Sequence, residues 1–295
     1  MLFTPVLVLA GVLGAAAHPS GHAHLHRDAH TKRDGPVHMK NVHKSIPKPT
    51  TTVEEAKATV AAAAVSSAKP AASSASSEAA EFIPFCSSSS SKAKRVTYDQ
   101  IMYTGNLGTE DGCEWNSNLM TVPNSIADKY DYVMTYTNVA SEPYQVICAN
   151  KMGADRQLTG MFKVAGQNPL IFTLKAGETK TVVADKNTQG VCAFAPKEVP
   201  TTEFGQYAGV WAEFDFGNDS NKGWSGADCS ALVAQAYDMD VPGCQMSQGG
   251  VDSTILPGGK GTNAYTKGME ALDGIGLNIP AGKTTIKVEV GHGAN

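Results

Sequence analysis

From Val96 onward, short runs rich in Val, Ile, Thr, Tyr and Phe alternate with Gly, Pro and Asn turns, and no long stretch keeps a helical period. The pattern predicts strands over Tyr132–Thr137, Tyr144–Ala149, Leu170–Leu174, Thr179–Ala184, Val191–Ala195, Val210–Phe216 and Thr284–Val290. Their spacing favours a mainly β fold of the sandwich type with short helices. Ala264–Leu272 is the best helix in this region, and Cys229–Tyr237 fits either a strand or a helix. Two segments resemble each other, LKAGETKTVV and IPAGKTTIKV, each an Ala-Gly turn feeding an alternating strand, which suggests a shared hairpin geometry.

Upstream the pattern changes. Leu2 to Gly14 is apolar apart from Thr4 and Pro5, and Ala15-Ala16-Ala17 follows, so residues 1–17 read as a secretory signal peptide cleaved before His18. Residues 18–46 are His-rich and read as a propeptide-like tail; residues 47–95 are a linker of Ala, Ser, Thr and Pro with too few large apolar residues to offset the entropy of ordering. Residues 96–295 are the folded body. Lys32-Arg33 and Lys94-Arg95 have the form of dibasic processing sites. No stretch after the signal reaches the ~18 apolar residues of a membrane span, so the expected location is extracellular or wall-associated, with no membrane partner.

Charge and cysteine usage narrow the picture. Residues 1–95 carry 11 Lys and Arg against 6 Asp and Glu, whereas residues 96–295 carry 13 against 22. An acidic body repels phosphate backbones, which argues against nucleic acid. Six cysteines, Cys86, Cys113, Cys148, Cys192, Cys229 and Cys244, lack CxxC or nearby-His spacing and read as three disulfides in an oxidising compartment. Fifteen pairings are possible; proximity in sequence favours Cys86 with Cys113, Cys148 with Cys192, and Cys229 with Cys244. Composition gives no reason to expect an obligate oligomer, so a monomer is expected.

The chemistry concentrates between Trp211 and Met246. From Glu203 to Asp240 seven carboxylates face a single Lys222. In AEFDF, Glu213 and Asp215 alternate with Phe214 and Phe216, so on a strand both carboxylates share one side and both rings the other. The rings are expected in the core. The carboxylates, with Asp228, are expected on an exposed face or cleft, where Trp211, Trp224 or Tyr237 would stack on sugar rings while Glu213, Asp215, Asn218 and Asp228 accept hydroxyl hydrogen bonds. A neutral, hydroxyl-rich polysaccharide suits that face, as does plain solvent. Paired carboxylates are also what glycoside hydrolysis needs, which makes Glu213 and Asp228 the catalytic candidates of a weak endo-β-1,3-glucanase.

Asn218-Asp-Ser220 is the one N-glycosylation sequon. Alternating imidazoles at His22, His24 and His26, with His18 at the expected mature N-terminus, could hold copper or zinc, giving a third class: a secreted metal-binding protein. GxSxG, HExxH, P-loop and dinucleotide fingerprints are absent from the body, and no cofactor is expected.

The segments YDQIMYTGNLG, CEWNSNLMTV, NTQGVCAF, VPTTEFGQYAGVWAEFDFGNDSNKGWSGAD and ALVAQAYDMDVPGCQM resemble the fungal secreted allergen family typified by Asp f 4. That resemblance implies an extracellular fungal antigen that binds host IgE. More distantly, Ala212-Glu213-Phe214, Gly226-Ala-Asp228-Cys-Ser230 and Val241-Pro242 with Met246 are similar to thaumatin-like proteins. That similarity implies a thaumatin-like β-sandwich whose acidic cleft uses Glu213 and Asp228 to engage β-glucan.

Overall fold

The computed structural model of the chain describes residues 81–86 and 113–294. The signal peptide, the histidine tract with His18, His22, His24 and His26, the linker up to Ala80 and both dibasic pairs lie outside the described residues. Thirteen strands, β1 (Leu119–Val122), β2 (Tyr132–Asn138), β3 (Tyr144–Asn150), β4 (Leu170–Leu174), β5 (Thr179–Ala184), β6 (Thr188–Pro196), β7 (Val210–Asn218), β8 (Trp224–Ser230), β9 (Cys244–Gln248), β10 (Val251–Ile255), β11 (Gly261–Thr262), β12 (Leu277–Ile279) and β13 (Thr284–Val290), build two sheets. One runs β1-β5-β2-β13-β9-β10-β11 and the other β12-β8-β7-β6-β3-β4. All pairs are antiparallel except β2 with β13. The mainly β sandwich is therefore as the alternation predicts, and each of the seven expected strands is present.

The sheets face each other across a core. Met134, Tyr136, Val182, Met246 and Ile286 from the first sheet meet Val146, Leu174, Phe194, Phe214 and Phe216 from the second. The six-stranded sheet is also covered on its outer side. Ile147, Ala149, Val191, Ala193 and Trp211 pack there against Met161, Val199, Tyr207 and Val233. Val233 comes from a short helix, α1 (Leu232–Ala236), and the others from the connections around it. With both faces covered, β6 and β7 are buried along nearly their whole length, so alternation along them separates two interiors rather than inside from outside.

The three disulfides are Cys86–Cys113, Cys148–Cys192 and Cys229–Cys244, the pairing that proximity favours. Cys148 and Cys192 are register partners on β3 and β6. Cys229 on β8 and Cys244 on β9 bind one sheet to the other. Cys86 ties down residues 81–86, where the backbone of Ile83 donates to and accepts from the Tyr130 hydroxyl and the Phe82 and Phe85 rings pack on Tyr130.

Two expectations are corrected and one left open is resolved. Ala264–Leu272 forms turns rather than a helix: Tyr265 donates to the carbonyl of Cys229 and accepts from the amide of Ala231, and Gly268 has φ +92°. Those bonds take the backbone groups a helical ladder would use. Cys229–Tyr237 divides, its first residues ending β8 and the remainder forming α1. The two Ala-Gly segments are not hairpins. Each carries the chain from the six-stranded sheet to the seven-stranded one, β4 to β5 and β12 to β13, with glycines at φ +71° (Gly177) and +131° (Gly282) supplying the reversal.

Candidate functional site: a buried charge cluster and two surface grooves

Glu213 and Asp215 do point to one side of β7, and Asp228 on β8 stands directly opposite Glu213 in the register. That side is the covered outer face of the six-stranded sheet. Glu213 is 0% exposed, Asp228 1% and Asp215 3%, so the carboxylates line an interior and not the expected open cleft. Lys151, one residue beyond β3, enters the same space. Its amide donates to the carbonyl of Gln189 on β6, and its Nζ lies 3.0 Å from Glu213 Oε2 with both side chains buried. A buried cation facing a buried carboxylate is how a low-dielectric interior accommodates either charge.

Neighbouring groups extend the cluster. Asn218 Nδ2 donates to Asp215 Oδ2 at 2.6 Å, while Asn218 Oδ1 accepts from the Ser220 and Asn221 amides and caps the short 3-10 turn over Asp219–Asn221. The side chain that would carry a glycan is thus buried and committed on both its atoms, because the sequon sits at the strand end where the 3-10 turn needs its cap. Tyr265, fully buried, has its phenol pKa pushed well up, first by desolvation and then by the charges of Asp228, Glu213 and Asp273. The arrangement is a polar interior that three carboxylates, an ammonium and a phenol share.

The aromatic candidates part company. Trp211 is a core ring whose Nε1 donates to the carbonyl of Tyr207 at 3.0 Å. Trp224 is half-buried at the start of β8. Tyr237, also half-buried, makes an edge-on contact with Phe204, ring centroids 6.2 Å apart, and Phe204 is 49% exposed. Phe204 carries no periodic signal in the sequence, since it lies in the turn-rich TTEFGQ segment; only the fold brings it to Tyr237.

Two grooves open nearby. The first, about 350 Å³, is lined by Asp238, Met239, Asp240 and Val241, which follow Tyr237 in the chain, together with Gln235 and Lys267. Asp238 holds φ +52°, a left-handed conformation that turns the chain at the groove's lip. The second groove, about 380 Å³, lies over β3 and β4. Among the described residues no group of three or more His, Cys, Asp or Glu could hold a metal ion. His292 is partly exposed and pairs with Glu289 at 2.7 Å. No helix among the described residues is long and apolar enough to cross a membrane.

Residues 117–290 match the Allergen Asp f 4-like domain. Among curated proteins, Allergen Asp f 4 from Aspergillus fumigatus is 34% identical over 212 residues, which cover 70% of this chain and 64% of that relative's length. Among solved structures, the protein elicitor MoHrip2 from Magnaporthe oryzae is similar at 12% identity and a TM-score of 0.34, over 54% of this chain and 98% of that one.

Proposed function

The chain belongs to the Allergen Asp f 4-like family, and from that premise we propose that it is a secreted, non-enzymatic fungal antigen that associates with wall or host polysaccharide and is bound by host IgE. The division proposed with it is a signal peptide over 1–17, a His-rich tail over 18–46, a linker over 47–95 and a monomeric body over 96–295.

The observation that carries polysaccharide binding is the Phe204–Tyr237 ring pair, whose Tyr237 immediately precedes Asp238 of the groove lined by Gln235, Asp238 and Asp240. Ring faces stack on the apolar faces of sugars, and amide and carboxylate groups at their edge take hydroxyl hydrogen bonds. Tyr237 keeps its expected role. Trp211, Glu213, Asp215, Asn218 and Asp228 give theirs up, because a polymer cannot reach side chains that the outer covering of the sheet encloses.

The test is co-sedimentation of the full-length secreted protein with insoluble β-1,3-glucan, chitin and cellulose, with Phe204→Ala and Tyr237→Ala alongside. Each substitution is expected to weaken binding at least about fivefold, which corresponds to the ~1 kcal/mol or more that an interface residue contributing to affinity loses on truncation. Retention of the wild type on none of the polymers would end the reading.

One observation favours a second reading. Glu213 and Asp228 stand opposite each other on neighbouring strands, which is close enough for an acid and a nucleophile to cooperate. Their burial, and the ammonium of Lys151 on Glu213, leave them without the access a scissile glycosidic bond requires. Reducing sugar released into the supernatant of the same experiment would reverse that ranking.

A further inference from the structure

The second groove differs from the first in kind. Its lining is mixed: Ile147 and Ile171 are register partners on β3 and β4, Val199, Pro200 and Tyr207 close the other side, and Gln145 and Thr201 add polar groups between them. Ile171 is 52% exposed although it belongs to a strand, and Val164, beside the rim, is also exposed. Hydrogen bonds from backbone amides fix the walls. Val199 donates to Gln145 Oε1 at 2.9 Å, Lys163 to the carbonyl of Gly205 at 2.8 Å and Tyr207 to that of Met161 at 2.8 Å. A groove held open in this way keeps apolar surface in water at a standing cost, and a ligand that covers it needs little reordering of the protein. At about 380 Å³ it is within the range of small-molecule sites. Two charges mark its rim, Lys163 and Glu198, both exposed.

We propose that this groove is a binding site for a small amphiphile, with an aromatic or aliphatic body on Ile147, Ile171 and Tyr207, an anionic group at Lys163 and a hydrogen-bond donor at Glu198. The charges at the rim select the occupant: an ammonium meets an anion, a carboxylate meets a donor, and Ile147, Ile171, Val199 and Pro200 between them favour an apolar body. The site shares no lining residue with the groove of Gln235, Asp238 and Asp240, and it does not depend on the polysaccharide reading.

The probe is anilinonaphthalene sulfonate, which combines an apolar ring system, a sulfonate and an N–H donor and fluoresces when it leaves water. Titration of the full-length protein should saturate, and Ile171→Asp should weaken binding about tenfold, since it replaces apolar contact with a like charge facing the sulfonate. Lys163→Glu should also weaken it, and added salt should reduce the difference between wild type and that variant. Affinity unchanged in either variant, or no binding by the wild type, overturns the proposal. Ile171 and Lys163 are exposed, so both variants should keep the wild-type melting curve; should Ile171→Asp fail to do so, Lys163→Glu decides.

Discussion

Lys151→Met is the substitution that tests most directly what the buried charge cluster does. It removes an ammonium 3.0 Å from Glu213 where the two side chains are 1% and 0% exposed. Removing one member of a buried ion pair costs about 3–5 kcal/mol, because the remaining charge keeps its desolvation penalty and loses that counterion. For a folded body of this length each kcal/mol moves the melting temperature by roughly 2–4 °C, so a fall of about 6–20 °C is expected. Thermal melts followed by circular dichroism at neutral pH would measure it. The double variant Lys151→Met, Glu213→Leu should recover most of the loss, since a well-packed apolar pair of similar volume is often as stable as the ions it replaces. A single variant within about 0.5 kcal/mol of wild type would refute the reasoning, as that is the range of an ordinary surface change. The same arithmetic bears on any assay of ligand binding: Glu213→Gln or Asp228→Asn disturbs the interior, so lost retention on a polymer would report folding before it reported a contact.

Three further outcomes follow from the structure. Replacing Cys229 and Cys244 by Ala opens a bridge with a sequence separation of 15 that joins the two sheets, and should cost about 3 kcal/mol in urea denaturation; a loss well below 1 kcal/mol would show that the apolar core alone holds the sheets together. Burial raises the phenol pKa of Tyr136 and Tyr265, so the folded state holds both protons after the unfolded chain begins to release them near pH ~10. Their contribution is thus complete below that pH and declines above it, and a urea midpoint that does not fall between about pH 9 and about pH 11 would contradict it. Kexin-type cleavage after Arg95, if it occurs, falls between Cys86 and Cys113, so the two pieces should run as one band on a non-reducing gel and separate on reduction; separation without reductant would refute the tether.

Much of the fold was legible because strand residues announce themselves locally. Leu170–Leu174, Thr179–Ala184 and Thr284–Val290 appear with the very bounds that their β-branched and aromatic residues suggest. The strands without that signal were missed. Trp224–Ser230 is WSGADCS, rich in small and polar residues, and it is a strand because β7 and β12 pair with it on either side. Cys244–Gln248 and Val251–Ile255 likewise owe their state to their neighbours in the sheet.

By itself the sequence determined the class of fold, the family through its WAEFDFGN and GWSGAD blocks, and the fact that Glu213 and Asp215 share one side of a strand, and it favoured among fifteen disulfide pairings the one the structure holds. Only the tertiary structure decided what that side faces. A period of two assigns residues to faces and says nothing of what covers each face. Here α1 and the connections through Met161, Val199 and Tyr207 close over the outer face of the six-stranded sheet, turning an expected acidic surface into a buried cluster held with Lys151. The aromatic pair and the grooves that remain open are built from Phe204, Tyr237, Lys163 and Ile171, residues far apart in sequence that no local pattern connects.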